Sequence, residues 1–221
     1  MNSNQSLSRR GFLTVVGATG LTAALPRHGH AAARPGQGVF GSTETRREGS
    51  ARFPKWKGAI DRTLRERQQL TQPCRKTAVS SCDMHDWQEL LNTLRGRARG
   101  DQINLINLEL NRRAYVLDPI NWGVADYWAS PAQFFQKNGD CEDYSIAKYM
   151  SLRDLGLQPR DMRVVVLNDE NLKIPHAVLA VRNDGDELIL DNQVNRVVSH
   201  RIIRHYRPIF SINEEAWWLH R

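Results

Sequence analysis

Residues 139–156 read GDCEDYSIAKYMSLRDLG and organise the rest of the chain around one predicted helix. Asp140 is its expected N-cap, Asp143 stands three residues later as a capping-box partner, and Gly156 supplies a C-terminal stop. We therefore expect a helix over residues 141–155 with Cys141 in its first turn. A cysteine at this position has the helix dipole and unpaired backbone N–H groups close to its sulfur.

The spacing of apolar residues differs on the two sides of this helix. Before it, helical spacing predicts helices over residues 56–70, 86–97 and 101–113, and Ser130-Pro131 predicts the start of a short helix through Phe135. After it, β-branched runs predict strands over residues 163–167, 176–181, 187–191 and 197–203, with a hairpin turn at residues 183–185. Residues 115–130 are expected to form an irregular packed segment. Helices followed by antiparallel strands indicate an α+β domain.

Length and composition are those of an ordinary globular protein. The chain has 221 residues, of which 40% are hydrophobic and 25% charged, which is enough for one domain with an appendage. Its formal charge is +7, but residues 1–33 contain three arginines and no acid, so residues 34–221 carry 28 basic and 24 acidic side chains. This excess is mostly scattered arginine and does not favour nucleic-acid binding.

The first 33 residues match an export signal. Residues 8–13 (SRRGFL) fit the twin-arginine pattern, residues 11–25 are weakly apolar, and residues 31–33 (AAA) fit a cleavage site. A disordered tail with a chance arginine pair is the alternative. Cleavage near residues 31–34 would give a soluble periplasmic or secreted protein without a stable membrane span. Residues 34–54 are rich in Gly, Arg, Ser and Pro, so we expect a flexible lead-in there and a folded domain over residues 55–221.

Three cysteines remain to be assigned, namely Cys74, Cys82 and Cys141. In an oxidising compartment Cys74 and Cys82 could close a short disulfide loop and leave Cys141 as a free thiol. A zinc site that uses Cys74, Cys82 and His85 is the alternative, although it lacks an obvious fourth ligand and a CxxC spacing. An odd, free thiol is what a thiol enzyme needs.

The predicted hairpin brings two further candidate catalytic residues together. A turn centred on residues 183–184 pairs His176 directly with Asp191, whereas a two-residue turn at residues 184–185 makes Asp191 the diagonal neighbour of His176. In both registers the two side chains point to the same face of the sheet. The carboxylate can then hold one imidazole nitrogen while the other faces the thiol of Cys141, as in a Cys-His-Asp triad.

Carboxylates crowd the candidate nucleophile. Asp140, Glu142 and Asp143 are neighbours of Cys141 in the sequence, and like charge near a thiolate raises the pKa of the thiol. A hard cation with oxygen ligands would neutralise these carboxylates. We therefore hypothesise that Asp140 and Glu142 bind calcium. A capped, solvated helix end is the alternative interpretation of the acidic residues.

These residues together resemble a known family, the bacterial transglutaminase-like cysteine proteinases, relatives of the periplasmic protease that releases large biofilm adhesins from the outer membrane. The resemblance covers roughly residues 56–221 and is carried by residues 126–131 (DYWASP), 139–149 (GDCEDYSIAKY), 176–181 (HAVLAV), 190–192 (LDN), 211–213 (SIN) and 217–219 (WWL). It implies a transglutaminase-like, papain-related core in which the Cys-bearing helix packs on an antiparallel sheet. It also implies that Cys141 is the nucleophile, His176 the general base and acid, Asp191 the residue that orients the imidazole, and Asp140 and Glu142 the calcium ligands.

The resulting hypothesis is a periplasmic cysteine endopeptidase that works through a thioester acyl-enzyme. The resemblance implies a protein substrate of the surface-adhesin type and an inner-membrane receptor that regulates the enzyme. Two alternatives stay open. A transglutaminase or amidase would use the same triad but pass the acyl group to an amine. A catalytically inactive, calcium-dependent peptide-binding module would keep the fold with a vestigial triad.

Overall fold

A computed structural model describes residues 38–69, 74 and 82–221 of the chain. The expected export signal over residues 1–33 lies outside this described part. Within it, the helices are α1 (Pro54–Gln69), α2 (Asp83–Leu94), α3 (Arg99–Leu110), α4 (Asp118–Asn121), α5 (Pro131–Lys137) and α6 (Cys141–Asp154). The strands are β1 (Glu44–Glu48), β2 (Met162–Asp169), β3 (Ile174–Asn183), β4 (Asp186–Leu190), β5 (Val198–Ser199), β6 (Tyr206–Ile212) and β7 (Ala216–His220). Apart from β1, the strands follow the helices along the chain, which confirms the expected α+β fold class.

The strands form one antiparallel sheet in the order β1-β7-β6-β2-β3-β4-β5. β2 and β3 are paired along eight residues near its centre, from Met162↔Val181 to Asp169↔Ile174. Both strands are buried over most of their length. A strand that is covered on both faces has no solvated side, which explains why their Val, Leu and Ala runs lack polar alternation.

Two apolar clusters follow from this arrangement. The larger joins the helices to one face of the sheet. The smaller lies on the opposite face, called the outer face below, and contains Val39, Val165, Leu167, Val178, Ala180, Ile189 and Tyr206. Because side chains alternate along a strand, Val164 belongs to the larger cluster and Val165 to the smaller. Among the described residues, no helix has the length and apolar character needed to cross a bilayer.

α6 is the central helix of the domain. It packs on β2 and β3 and against α3 and α5, and every residue from Glu142 to Leu152 is buried. The helix nevertheless carries buried ionisable groups at Glu142, Asp143 and Lys148. Such groups are rarely buried unless they are paired or functional. The packing of α6 on the sheet confirms the expected core, in which the Cys-bearing helix lies on antiparallel strands.

A flexible lead-in was expected over residues 34–54. The structure describes residues 38–54 of this segment, and part of it belongs to the folded sheet. β1 pairs with β7 at the edge of the sheet, and Val39 is only 1% exposed. The sequence of β1 (ETRRE) shows no apolar alternation because most of its side chains are exposed. Its anchor is polar instead, since Glu44 pairs with Arg163 at 2.9 Å. Polar anchoring of this kind leaves no periodic signal in a sequence.

The expected capping box at the start of α6 is wrong. Asp140 is the N-cap residue, but its side chain makes no capping hydrogen bond. Asp143 instead accepts a hydrogen bond from the backbone N–H of Ala129 at 2.6 Å. The carboxylate of Asp143 therefore bonds to the segment before α5. The bond satisfies a buried backbone N–H, which would be costly to leave without a partner.

The strand expected over residues 197–203 is much shorter than predicted. Strand pairing stops after Ser199, whose hydroxyl oxygen accepts from the N–H of Arg201 at 3.2 Å and begins a 3₁₀ turn at His200. A serine that bonds its own backbone in this way offers the chain an alternative to the sheet ladder.

Cys74 and Cys82 form a disulfide, with their Cα atoms 5.9 Å apart. The bond commits both sulfurs, so the zinc alternative with His85 is not supported. Cys141 is a free cysteine. Residues 70–73 and 75–81, which flank Cys74, lie outside the described part of the chain.

Candidate active site

The start of α6 is shaped by a glycine. A Cβ atom at Gly139 would overlap with Asp143 Oδ2, so a larger residue would displace this carboxylate. Asp140 follows with an extended backbone, and the helix begins at Cys141. The sulfur therefore emerges in the first turn, where backbone N–H groups have no partner within the helix.

An open edge of the sheet receives the cysteine. β3 extends beyond β4, because the pairing of these strands begins only at Leu179↔Leu190. The edge of β3 before Leu179 is therefore free to meet another element. There the backbone N–H of Ala177 lies near enough to Cys141 Sγ to oppose the rise in the pKa of the thiol. The sulfur therefore lies close to the residue that directly follows His176.

His176 and Asp191 form a buried pair on the outer face. His176 Nε2 lies 3.0 Å from Asp191 Oδ1, and the two residues are 3% and 4% exposed. Asn183 pairs with Asp186, so the hairpin has the two-residue turn and Asp191 is the diagonal neighbour of His176. Because Nε2 faces Asp191, Nδ1 is the ring nitrogen left for a second partner.

Asp191 is held by further hydrogen bonds. The Tyr206 hydroxyl donates to Asp191 Oδ2 at 2.6 Å, and the Gln193 N–H donates to Oδ1 at 2.9 Å. Burial alone would raise the pKa of Asp191, but the hydrogen bond and charge of His176, with the bond from Tyr206, bring this pKa below its usual value. The carboxylate is therefore charged near neutral pH and can stabilise an imidazolium.

The thiol of Cys141 is held in its protonated form in this arrangement. Sγ donates to Glu142 Oε2 at 3.2 Å, and within the described residues no hydrogen bond joins the sulfur to the His176 ring. Burial raises the pKa of the thiol above its usual range, and the charges of Glu142 and Asp140 raise it further. Formation of the thiolate is therefore favoured when the negative charge beside it is neutralised.

Four buried carboxylates surround this helix start, and we call them the acidic cluster: Asp118, Asp140, Glu142 and Asp143. Oxygen atoms of Asp118, Asp140 and Asp143 lie within 4.8 Å of one another, and Asp118 and Glu142 form a similar group with the exposed Asp126. One oxygen each of Asp118, Asp140 and Asp143 is buried without a hydrogen-bond partner among the described residues. Buried like charges with unpaired oxygens need protons or a cation for stability.

The pKa values of the acidic cluster show the same imbalance. Burial and then the charge of Asp140 raise the pKa of Glu142 to about 9. Burial raises the pKa of Asp143 to about 8, although the Ala129 N–H opposes this rise. Convergent carboxylate oxygens are the ligands that calcium prefers. The donor set therefore fits a calcium ion, and the structure adds Asp118 to the expected ligands Asp140 and Glu142.

Asp118 and Tyr206 were not among the residues that the sequence singled out. Asp118 begins the four-residue helix α4, inside the segment expected to be irregular. An Asp before a Pro indicates a helix cap at most, so this position carried no metal signal. Tyr206 begins β6 and lies 15 residues from Asp191 in the chain. No local pattern joins a strand-opening tyrosine to a distant carboxylate.

Lys148 is a further feature that the sequence did not reveal. It lies on α6 two turns after Cys141, is fully buried, and its amine has no hydrogen-bond partner among the described residues. The amine lies 5.6 Å from the ring centre of Tyr144. Burial lowers the pKa of Lys148 to about 7, and the charge of Asp191 opposes this shift.

A free thiol at a helix start, beside a buried imidazole–carboxylate pair in an α+β core, is the arrangement of enzymes that transfer acyl groups through a cysteine. A family model described as bacterial transglutaminase-like cysteine proteinase matches residues 67–218. The chain belongs to this family and is therefore a cysteine peptidase, which acts on peptide bonds of proteins.

Solved structures of LapG from Legionella pneumophila are similar to the chain. One is 26% identical with a TM-score of 0.60, and the match covers 73% of this chain and 87% of LapG. A calcium-bound LapG structure gives the same values. An EGTA-treated one is also 26% identical, with a TM-score of 0.59 and 85% of LapG covered. No curated protein sequence matches the chain. The structural similarity confirms the transglutaminase-like fold.

Proposed function

We propose that the protein is a calcium-dependent endopeptidase of the periplasm, with Cys141, His176 and Asp191 as its catalytic triad. The observation that carries this proposal is the meeting of distant segments at the open edge of β3. Cys141 Sγ lies near the Ala177 N–H there, and the adjacent His176 is paired with Asp191. Membership of the cysteine proteinase family supplies the peptidase activity, and the geometry supports these residue roles.

The proposed chemistry is a two-step acyl transfer. His176 takes the proton of the Cys141 thiol, and the sulfur attacks the peptide carbonyl to form a C–S bond. Backbone N–H groups at the start of α6 stabilise the oxyanion. His176 then gives the proton to the leaving amine, and water hydrolyses the thioester. Asp191 holds the imidazole in the required tautomer and stabilises its charged form.

Calcium would be held by Asp118, Asp140 and Glu142: Asp118 and Asp140 have oxygens close together in one group, Asp118 and Glu142 in a second, and Asp140 and Glu142 lie together beside the thiol in a third. When bound, the ion would neutralise the carboxylates that raise the pKa of Cys141. One of the similar LapG structures is calcium-bound, which supports calcium as the metal. The buried, unpaired oxygens of Asp118 and Asp140 support a site at this position.

The proposed location and partners come from the sequence. Residues 1–33 match a twin-arginine export signal, which leads to the periplasm. The disulfide between Cys74 and Cys82 is consistent with an oxidising compartment. The resemblance to adhesin-releasing proteases implies a surface-adhesin type of substrate and regulation by an inner-membrane receptor.

Incubation of a cell-surface protein fraction with purified enzyme tests the proposal. We compare the wild type with Cys141→Ser, in excess calcium, and map new protein N-termini by mass spectrometry. The wild type is expected to release a new N-terminus from a large surface protein, and Cys141→Ser is expected to release none. The substitution exchanges one atom, so both proteins should have the same circular dichroism. Identical cleavage by both would contradict the role of Cys141.

A labelled primary amine in the same reaction distinguishes hydrolysis from amine transfer. We expect hydrolysis to dominate, with little label joined to the substrate. Dominant incorporation of the amine would instead identify a transglutaminase. An inactive peptide-binding module would bind the surface protein in calcium, and neither the wild type nor Cys141→Ser would cleave it.

A further inference from the structure

A line of contacts on the outer face leads from residue 40 to the catalytic pair. Phe40 packs edge-on against Tyr206, with ring centroids 5.5 Å apart and ring planes at 86°. The Tyr206 hydroxyl donates to Asp191 Oδ2 at 2.6 Å, and its ring lies 5.8 Å from that of His176. Tyr206 is 3% exposed. A tyrosine buried this deeply usually directs its hydroxyl to a specific partner.

We infer that Tyr206 is a positioning residue of the catalytic site and that Phe40 clamps it on the outer face; this inference rests on the proposed triad. Asp191 Oδ1 accepts from His176 while Oδ2 accepts from Tyr206. With both oxygens engaged, the carboxylate cannot rotate away from the imidazole. Partners that hold a functional carboxylate from behind are needed to keep a site within its productive geometry.

Phe40 occupies its position at a conformational cost. Its backbone has φ 55° and ψ 23°, in the left-handed region that residues other than glycine rarely adopt. Its N–H donates to His200 Nδ1 at 2.9 Å, and the Ser42 N–H closes the turn on the Val39 carbonyl at 3.2 Å. An apolar cover for the sheet would not need this strain. Strain of this kind persists where the surrounding structure requires one arrangement, which fits a clamp on Tyr206.

The groups around the Tyr206 hydroxyl keep it a hydrogen-bond donor. Asp191 follows β4, Asp169 ends β2, His176 lies on β3, and His205 precedes Tyr206 with its ring 4.5 Å away. Burial raises the pKa of Tyr206 above its usual range, and the charges of Asp191 and Asp169 raise it further. The phenol therefore keeps its proton near neutral pH and donates to Asp191.

The test compares Tyr206→Phe with Tyr149→Phe. Both variants lose one hydroxyl and keep the ring, and Tyr149 also donates to a carboxylate, that of Glu214 at 3.0 Å. The probe is iodoacetamide at pH 7.5 in excess calcium, which alkylates the free cysteine, Cys141. We expect the alkylation rate to fall about tenfold in Tyr206→Phe, because a hydrogen bond to a charged group is lost, and to stay unchanged in Tyr149→Phe.

Proton NMR gives a second readout that a purely structural role would not change. The proton between His176 Nε2 and Asp191 is expected at low field and protected from water in the wild type. In Tyr206→Phe the freed carboxylate should let this proton exchange, so its signal should disappear. Tyr149→Phe should retain it. Phe40→Ala should lower the alkylation rate by about threefold, because the clamp is lost but the hydroxyl remains.

A wild-type alkylation rate and a retained signal in Tyr206→Phe would overturn the inference. The Cys141→Ser variant separates this result from failure of the proposed function. Cleavage that persists in Cys141→Ser refutes the triad itself. Cleavage that depends on Cys141 but is unaffected in Tyr206→Phe refutes only the positioning role. If Tyr206→Phe does not fold, Phe40→Ala decides the question, since an unchanged rate there also refutes the clamp.

Discussion

Two buried charge clusters in this molecule are balanced in different ways. In the first, which we call the arginine cluster, the Arg163 guanidinium lies on the outer face and pairs with Glu44 and Glu187 at 2.9 Å each. In the acidic cluster at the start of α6, carboxylates gather without an ion pair to any basic side chain in the described part of the chain. The first cluster contains its own counter-charge, and the second does not.

The pKa values express this difference. Burial would raise the pKa of Glu44, but Arg163 brings it below its usual value. In the acidic cluster, burial and the charge of Asp140 raise the pKa of Glu142 to about 9. A balanced buried cluster is complete by itself and belongs to the framework. An unbalanced one needs protons or a cation, and its place beside the proposed nucleophile Cys141 makes it part of the candidate site.

The largest expected effect concerns the arginine cluster. Arg163→Met removes the buried cation that the half-buried Glu44 and Glu187 share, so we expect the free energy of unfolding to fall by about 3 kcal/mol. Urea unfolding in excess calcium measures this loss. The calcium concentration that gives half-maximal activity should be unchanged. A shift in that concentration would show that the two clusters are not independent.

Calcium should stabilise the folded protein through the acidic cluster. At 100 times its dissociation constant, a bound ion adds about 2.7 kcal/mol to the free energy of unfolding. For a domain of this size we expect the melting temperature to rise by about 5–10 °C. Thermal unfolding in EGTA and in excess calcium checks this expectation. Equal melting temperatures in the two conditions would indicate that the acidic cluster is neutralised by protons alone.

Asp118→Asn tests whether the residue that the sequence did not reveal takes part in metal binding. The change keeps an oxygen for the Tyr127 N–H but removes one charge of the acidic cluster. We expect the calcium concentration for half-maximal activity to rise by about 10- to 100-fold. Glu187→Gln in the arginine cluster is the matched control and should not change it. If both variants changed the calcium concentration for half-maximal activity equally, the acidic cluster and the arginine cluster would not differ in metal binding.

Lys148→Met should produce the smallest effect, a stabilisation of about 1–3 kcal/mol near pH 7, because an unpaired buried amine is replaced by an apolar chain. The folded pKa of Lys148 is lowered from 10.5 to about 7. Between these values the unfolded state binds more protons, so the stability of the wild type rises with pH. The advantage of Met should therefore shrink from pH 7 to pH 10. Urea unfolding at several pH values measures it, and a constant advantage would contradict the assignment.

Much of the fold and of the candidate site could be predicted because short-range rules govern them. The apolar spacing and Gly156 set the limits of α6, and β-branched runs identify β2 and β3. The hairpin allowed two registers, and in both of them His176 and Asp191 share a face. The prediction that these two side chains meet therefore rested on the alternation of side chains along a strand, and it did not need the exact turn.

Other parts could not be predicted because packing between distant segments decides them. Asp118 is brought to the acidic cluster by an irregular segment, whose aromatic contacts, such as Trp122 on Tyr127 at 4.5 Å, follow no period. The capping box failed because Asp143 satisfies a buried N–H from another segment. β1 is anchored by the ion pair between Glu44 and Arg163, and an ion pair leaves no apolar pattern in the sequence.

The account depends on calcium in the acidic cluster making the Cys141 thiol reactive. The most direct test is the rate of iodoacetamide alkylation of the wild-type protein at one fixed pH, in EGTA and in excess calcium, with mass spectrometry to confirm that Cys141 carries the label. We predict that calcium increases this rate by about tenfold or more, because it removes charge that opposes the thiolate. Equal rates in the two conditions, or a faster reaction in EGTA, would contradict the account.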